Sequence, residues 1–204
     1  MGITERKERE KAEMRRRIVD AAITMFVKEG FEKMSIRNIA DMIEYSPATI
    51  YLYYKDKDEL LYDVQAEAFE TLAREFESKI TEADPLKRLA QLSWAYVEFA
   101  RNHPELYDLM FIIKEPMNSV NKDENWKNGD RAYDALQDLV TECIEKKLIR
   151  YTDPMVATLS FWGFAHGLVS LNLRCRLKVA QIEEAEIKDK IDACIKAYLE
   201  IIVA

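Results

Sequence analysis

The sequence predicts an all-α protein, and three observations support that prediction. Apolar residues recur every three or four positions along most of the 204 residues, as they do on the buried face of an amphipathic helix. The strict apolar–polar alternation of strands is absent. Only 5 glycines and 5 prolines occur, fewer than the tight turns of a β-sandwich or barrel need. With 49 % hydrophobic residues, the chain can bury a substantial core.

Prolines and their preceding residues predict where several helices begin. Ser46-Pro47, Asp84-Pro85 and Asp153-Pro154 each place a capping side chain before a proline at the first helical position. The apolar spacing between these points predicts eight or nine helices, at about 5–29, 35–43, 47–53, 57–80, 85–102, 104–112, 125–149, 154–176 and 184–203. The polar segment 114–130 is predicted to be a long loop.

Two of the predicted helices are short and lie close together. Ser35 is expected to cap the first, and the corner 43–46 is expected to separate it from the second, which begins at Ser46-Pro47. Ile50 and Tyr54 share the inward face of the second helix, which leaves its other side chains exposed. This pattern is typical of a helix-turn-helix motif, in which the N-terminal end of the second helix enters the DNA major groove.

The segment 17–61, RIVDAAITMFVKEGFEKMSIRNIADMIEYSPATIYLYYKDKDELL, resembles the DNA-binding domain of the TetR family of transcriptional repressors. The matching positions run in continuous register: Ala21-Ala22, Phe26, Gly30-Phe31, Ser35-Ile36, Ile39-Ala40, Ser46, Thr49-Ile50-Tyr51, Tyr54, Lys57 and Leu60-Leu61. The resemblance implies a three-helix DNA-binding domain at 1–56, with its motif at 35–54. Residues 57–204 would form a helical bundle that dimerises and binds an effector.

The resemblance also implies which residues contact DNA. Arg37 occupies a base- or phosphate-contacting position on the first helix of the motif, and Thr49 and Lys57 occupy phosphate-contacting positions. The full implied set is Arg37, Ser46, Pro47, Ala48, Thr49, Tyr51, Tyr53 and Lys57. One position departs from the family pattern, because Glu44 stands where a glycine is usual. We expect left-handed backbone or a changed corner at Glu44.

A later segment indicates how a dimer would form. Residues 154–173 contain no Asp, Glu, Lys or Arg, and their length approaches that of a membrane span. Their five polar residues favour a buried helix of a soluble bundle. The run 161–167, FWGFAHG, resembles a Trp-x-x-x-His-Gly element of some TetR C-terminal domains, which implies that the last two helices pair with their copies. The expected interface residues are Phe161, Gly163, Gly167, Ile191, Ile195, Leu199 and Ile202.

Aromatic and methionine side chains are dense between residues 94 and 133. Individually they are typical of a helical core, whereas the family resemblance implies that together they enclose an apolar effector cavity. The expected ligand residues are Trp94, Phe99, Tyr107, Met110, Phe111, Tyr133, Trp162 and His166. His166 fits either a cavity wall or a core histidine with a hydrogen-bond partner.

Charge is unevenly distributed along the chain. The net charge is −7, but residues 1–60 contain 12 basic and 12 acidic side chains, and the first 17 residues contain seven basic and four acidic ones. The overall charge argues against binding nucleic acid or an anionic membrane through bulk attraction. The basic N-terminal part is consistent with an end that faces nucleic acid, and equally with a solvated helix face.

The remaining chemistry argues against several other classes. Three widely spaced cysteines form no CxxC pair, which fits a reducing cytoplasm better than a disulfide framework or a zinc site. No secretion signal is visible at the start of the sequence. Only two histidines occur, near no serine or cysteine motif, and no glycine-rich phosphate loop is present. We therefore expect no enzyme, cofactor or metal.

The sequence predicts a cytoplasmic, homodimeric, one-component regulator. Its expected partners are double-stranded operator DNA and a small apolar or aromatic effector that releases the DNA, and no membrane. Repression is the expected sign of regulation. Two alternatives stay open: a DNA-bound interaction protein of the same fold without an effector, and a small all-α enzyme.

Overall fold

The computed structural model describes residues 2–120 and 126–204, and the all-α prediction is confirmed. The described residues form nine α-helices: α1 (Ile3–Glu29), α2 (Ile36–Met42), α3 (Pro47–Tyr51), α4 (Lys57–Lys79), α5 (Pro85–Asn102), α6 (Pro104–Phe111), α7 (Asp130–Glu145), α8 (Pro154–Leu173) and α9 (Ile187–Ile202). Short 3-10 turns lie between α1 and α2, between α6 and α7, and between α8 and α9. Apart from one isolated bridge between Ile149 and Val203, no extended pairing occurs in this part of the chain.

The predicted capping residues begin the helices as expected. Ser46 Oγ accepts a hydrogen bond from the Thr49 N–H at 3.2 Å. A carboxylate oxygen of Asp84 accepts from the Lys87 N–H at 2.9 Å, and one of Asp153 accepts from the next turn of α8. Each cap satisfies an amide that the first helical turn leaves without an intrahelical acceptor, so these three starts are fixed by the local sequence.

Several helix ends differ from the prediction. The helix predicted at 125–149 is α7, which begins at Asp130 and ends at Glu145, because Lys147 takes left-handed backbone with a φ of 54°. The helix predicted to reach residue 176 ends at Leu173, and Cys175 is left-handed with a φ of 55°. Residues 121–125, which include part of the predicted loop and the predicted start of α7, lie outside the described residues.

The chain divides into two compact units. The first comprises Met1–Ala68 and Glu105–Asn128, and the second comprises Phe69–Pro104 and Gly129–Ala204. α4 belongs to both, since its first half lies in one unit and its second half in the other. The sequence predicts a different boundary, between a DNA-binding part at 1–56 and an effector-binding, dimerising part at 57–204. That boundary separates functions rather than packed units, and it stays a prediction.

A buried glutamine organises the part of the first unit that follows the motif. Gln65 on α4 is 1 % exposed, and its amide nitrogen donates to the carbonyl oxygens of Leu109 and Met110 on α6, each at 3.3 Å. Its carbonyl oxygen accepts from Trp126 Nε1 at 3.0 Å and from Asn128 Nδ2 at 3.2 Å. Four hydrogen bonds on one buried amide fix α6 and this segment against the first half of α4.

Candidate nucleic-acid interface

The helices α1, α2 and α3 pack around a common core. Ile18, Ile39, Ala40 and Ile50 are fully buried, and Tyr54 is 1 % exposed. Ser35 Oγ accepts from the Asn38 N–H at 3.1 Å and so caps α2. One face of each short helix is therefore held by apolar burial while the opposite face stays at the surface. This is the arrangement predicted for a helix-turn-helix motif.

The corner between α2 and α3 contains the expected left-handed residue. Glu44 has a φ of 61°. Its N–H donates to the carbonyl of Asp41 at 3.2 Å, and the N–H of Tyr45 donates to the carbonyl of Ala40 at 2.9 Å. These two bonds form a Schellman motif, whose left-handed position is normally a glycine. The chain therefore keeps the corner geometry but places a side chain where it is unfavourable.

Replacing Glu44 by glycine should stabilise the protein. The change removes the cost of a Cβ in left-handed backbone, offset in part by the greater entropy of glycine in the unfolded chain, so we expect a gain of roughly 0.5–1 kcal/mol. Urea unfolding monitored by circular dichroism measures it. Glu44→Ala serves as the control, because it removes the charge but keeps the strained backbone. An equal gain in both variants would assign the effect to charge rather than geometry.

α3 presents a small, uncharged surface. Ala48 is exposed, and Tyr51 is 56 % exposed. Thr49 is half-buried, and its hydroxyl lies 3.0 Å from that of Ser46. Leu52, the residue that follows α3, is 77 % exposed, as its position opposite Ile50 and Tyr54 predicts. An apolar side chain at that exposure can pack against thymine methyl groups.

Tyr53 requires a correction. It was predicted to lie on the recognition helix and face outward, but α3 ends at Tyr51, and Tyr53 is half-buried against the apolar core of the first unit. The helix ends early because the chain turns after Leu52, whose N–H bonds to Thr49 in a tight turn. A DNA contact by Tyr53 stays a prediction and would use only its exposed part.

An ionic network holds the end of α3 in place. Asp63 on α4 accepts from Arg15 Nη2 at 2.8 Å and from the Tyr54 hydroxyl at 2.9 Å. Arg15 also donates to the Tyr53 carbonyl at 3.3 Å, and its guanidinium lies over the Tyr54 ring. Burial, reinforced by the Asp63 carboxylate, raises the pKa of Tyr54, so its hydroxyl stays a donor. The orientation of α3 is thereby tied to α1 and α4.

Lys57 has internal partners at the start of α4. Its ammonium lies 4.1 Å from the centre of the Phe31 ring and 3.4 Å from the Phe31 carbonyl oxygen. Burial lowers the pKa of Lys57, although the carboxylates of Glu115 and Glu32 oppose that shift. The predicted phosphate contact stays a prediction, and it would require this side chain to give up part of its contact with Phe31.

Positive charge is sparse on the surface of the motif, where Arg37 is the one lysine or arginine between residues 35 and 54. No lysine or arginine occurs between residues 38 and 54, whereas Asp41 and Glu44 are both exposed there. The basic residues lie at its edges, with Arg37 exposed on α2 and Lys55 exposed after α3. Contacts to the phosphate backbone must therefore come mainly from the periphery of this surface.

The predicted dimer residues divide between the interior and the surface of the protomer. Phe161, Ile191, Ile195 and Ile202 are at most 5 % exposed, so their assignment to an exposed interface needs correction. Phe161 packs edge-on against Tyr198 on α9, with ring centres 5.4 Å apart. These four residues belong to the core within one chain. The prediction placed them in an interface because core-facing and interface-facing residues of a helix have the same apolar spacing. Gly163 is exposed, and Gly167 and Leu199 are half-buried.

One face of α8 remains uncovered within the protomer. We define the α8 apolar face as the exposed residues Met155, Val156, Leu159, Gly163 and Leu171. The helix is long and apolar enough to cross a membrane by length and composition, and 28 % of its most apolar window is buried within the described protomer. Within one chain α8 is therefore only partly covered, and its predicted burial against a partner helix stays a prediction.

The predicted ligand residues fall into different parts of the molecule. Tyr107, Met110 and Phe111 belong to the first unit and the other five to the second. In the second unit, the Tyr96 hydroxyl lies 3.0 Å from His166 Nδ1, and Trp162 lies edge-on to both Tyr133 and His166. Burial, and to a lesser extent the charge of Arg174, lowers the pKa of His166. Phe99 is fully buried, whereas Trp94 is 42 % exposed.

The second unit contains a cavity of about 280 Å³ at a different place. Apolar side chains line it together with the Arg88–Glu142 ion pair and Arg131, which also pairs with Glu70 and Glu77. The lining residues are Ala73, Phe76, Glu77, Ile80, Arg88, Arg131, Ala135, Asp138, Leu139 and Glu142. None of the predicted ligand residues lines it. Within the described ranges, no group of three His, Cys, Asp or Glu side chains could hold a metal ion.

Comparison with known proteins yields two family matches. Residues 18–64 match the model of bacterial regulatory proteins of the tetR family, and residues 89–195 match that of the tetracyclin repressor-like C-terminal domain. The HTH-type nicotine-responsive transcriptional repressor HdnoR of Paenarthrobacter nicotinovorans is 25 % identical over 191 residues, which cover 91 % of this chain and 94 % of HdnoR.

Solved structures agree with the observed fold. A protein of unknown function from Rhodococcus sp. RHA1 superposes with a TM-score of 0.75 at 22 % identity, covering 93 % of this chain and 95 % of that one. A TetR family transcription regulator from Marinobacter aquaeolei VT8 superposes with a TM-score of 0.66 at 18 % identity, covering 98 % of both chains. At these identities the likeness concerns the fold.

Proposed function

The chain belongs to the TetR family of bacterial regulatory proteins, and from that premise we propose that it is a cytoplasmic, homodimeric repressor whose operator DNA is released by a small apolar or aromatic effector. The observation that carries this proposal is the exposed face of α3. Ala48, Tyr51 and Leu52 lie at the surface, while Ile50 and Tyr54 anchor the helix from within. A helix held in this way can enter a major groove without changing its core contacts.

Sequence preference would come from α3, and affinity from its surroundings. The Tyr51 hydroxyl and the Leu52 side chain can contact base edges and thymine methyl groups. Arg37, Ser46, Thr49 and Lys57 would contact phosphates and set the position of the motif on the duplex. Because Arg37 is the one lysine or arginine between residues 35 and 54, most ionic phosphate contacts would come from residues beside the motif.

Dimerisation is proposed through the α8 apolar face and α9. A Cβ added to Gly163 or Gly167 would meet no atom of the protomer within 4 Å, and neither glycine needs a positive φ. Glycine in a helix interior costs about 1 kcal/mol relative to alanine, so the protomer alone does not explain these two residues. Close approach of a partner helix does. On α9, Ile201 is 66 % exposed and would extend the interface.

The effector is proposed to act through α4, the helix shared by both units. A ligand releases DNA only if it binds more tightly to a conformation that cannot contact successive major grooves. The cavity beside Ala73 and Phe76 supports a ligand contact with the second half of α4. The aromatic cluster around Trp162 and His166 supports another site for a flat apolar ligand.

A band-shift titration tests the proposed function. DNA from upstream of the protein's own gene is titrated with the purified chain at fixed salt, against an unrelated fragment of equal length. Specific binding that a small molecule reverses is the expected result. Tryptophan fluorescence measures effector binding, because Trp94 and Trp162 lie in the second unit and Trp126 lies in the first. Equal affinity for both fragments would contradict the proposal.

The interaction protein without an effector remains the second candidate. The exposed apolar surface of α8 favours it, since a protein partner other than a second copy could cover that face. Operator binding that no compound from a broad apolar library reverses, with a monomer in sedimentation, would support this alternative.

A further inference from the structure

α1 extends well beyond the part of the chain that matches the family model. The match begins at residue 18, whereas α1 begins at Ile3. Every residue from 4 to 13 is exposed, and the first fully buried side chain of the helix is Ile18. We call residues 4–13 the α1 extension. Ten residues of helix are about 15 Å long, so this segment reaches far from the core.

Two arginines show where the α1 extension emerges. Arg17 Nη2 donates to the carbonyl of Ile43, at the end of α2, at 3.2 Å. Arg15 Nη1 donates to the carbonyl of Tyr53, just after α3, at 3.3 Å. At Arg15 and Arg17, α1 therefore lies beside the C-terminal ends of α3 and α2. The α1 extension is the part of the helix N-terminal to these contacts, and it projects beyond the edge of the motif.

The basic residues of the extension are not equivalent. Arg6 pairs with Glu10 at 2.7 Å, and Arg9 pairs with Glu13 at 3.5 Å. Lys7 and Lys11, in contrast, have no ion-pair partner among the described residues, and their spacing of four puts them one turn apart on the same side of the helix. That side continues into Met14 and Ile18, which pack on the core of the motif.

The α1 extension contains four basic and four acidic side chains, so its net charge is zero, and the positive excess of the first 17 residues lies at Arg15, Arg16 and Arg17. Within the extension, the described ion pairs occupy Arg6 and Arg9 but not Lys7 and Lys11. The extension, TERKEREKAE, has no apolar stripe with which to enter a membrane or pack on a protein. Two uncompensated ammonium groups at the edge of a DNA-binding motif are complementary to phosphate.

We propose that the α1 extension is a second DNA-contacting element, which binds the phosphate backbone beside the base pairs contacted by α3 through Lys7 and Lys11. The inference rests on the proposed operator binding. Lys7 and Lys11 would supply positive charge that the surface between residues 38 and 54 lacks. Because the contacts of the extension are to phosphate, it would add affinity for any sequence without changing the preferred one.

The salt dependence of binding measures this contribution. The double variant Lys7→Gln/Lys11→Gln is compared with Lys188→Gln/Lys190→Gln, which removes the same charge from exposed positions in the second unit. The slope of log Kobs against log salt is negative, and each lost phosphate contact makes it shallower by about 0.9. We therefore expect the magnitude of the slope to decrease by about 1.8 per protomer. The control variant should keep the wild-type slope.

A footprint locates the contacts along the DNA. In hydroxyl-radical footprinting, the double variant should lose protection only at the outer edges of the site and keep the central protection. Circular dichroism should show unchanged helix content, since both lysines are exposed. Equal slopes and footprints in the two double variants would overturn the inference while operator binding stands. Absence of specific binding by the wild-type chain would instead refute the proposed function on which it rests.

Discussion

Replacing Tyr51 by alanine should weaken operator binding strongly while leaving the fold intact. Tyr51 is 56 % exposed at the end of α3 and belongs to no core contact of the motif. Loss of its ring and hydroxyl should cost about 1–3 kcal/mol per half-site, or about 2–6 kcal/mol for a dimer on two half-sites. Fluorescence-anisotropy titration at constant salt measures it.

Two further variants interpret that result. Tyr51→Phe keeps the ring, so any affinity it loses reports the hydroxyl alone. Val179→Ala truncates an exposed side chain in the second unit, and it should leave the affinity unchanged. If Tyr51→Ala bound the operator as tightly as Val179→Ala, α3 would not be the recognition helix.

A charge on the α8 apolar face should dissociate the dimer and, with it, operator binding. Leu159 is 51 % exposed in the protomer, so Leu159→Glu is compatible with the fold. In a symmetric dimer it would place a carboxylate from each chain in an apolar interface, at a cost of about 3–5 kcal/mol for each unpaired charge. Loss of simultaneous binding to two half-sites should then weaken operator affinity by about 10²–10⁴-fold.

Sedimentation at micromolar protein concentration measures whether each variant is a monomer or a dimer. Val27→Glu is the matched control, since Val27 is exposed to 45 % on a helix of the first unit. Gly163→Leu provides a second, uncharged variant, because open space surrounds Gly163 in the protomer and only a neighbouring chain would meet the added side chain. A wild-type chain that sediments as a monomer, or an unchanged dimer in both α8 variants, would contradict this interface.

The sequence predicted the helices because their starts and faces are encoded locally. Ser46, Asp84 and Asp153 each form the cap expected of them, and Ile50 and Tyr54 are buried as their spacing predicts. The early ends of α7 and α8 share one cause. Lys147 and Cys175 adopt left-handed backbone without the glycine that normally marks it, so nothing in their residue type predicted a stop.

The candidate sites were less predictable because the apolar spacing of a helix does not show whether its apolar face packs within the chain or against another molecule. Ile191 and Ile195 have the stripe of an interface, yet they pack within their own chain. Tyr53 follows α3 in sequence, but the early end of the helix turns it toward the core. No sequence pattern predicts the hydrogen bonds by which Gln65 links α4 to α6, since a single buried amide leaves none.

The central claim is that this chain recognises specific DNA as a dimer through α3. Genomic fragments captured by the purified protein at physiological salt, then sequenced, test it most directly. The account predicts enrichment of a sequence with two inverted half-sites, and loss of that enrichment in the Tyr51→Ala variant. Capture of fragments without a shared motif, or an unchanged motif in Tyr51→Ala, would contradict it.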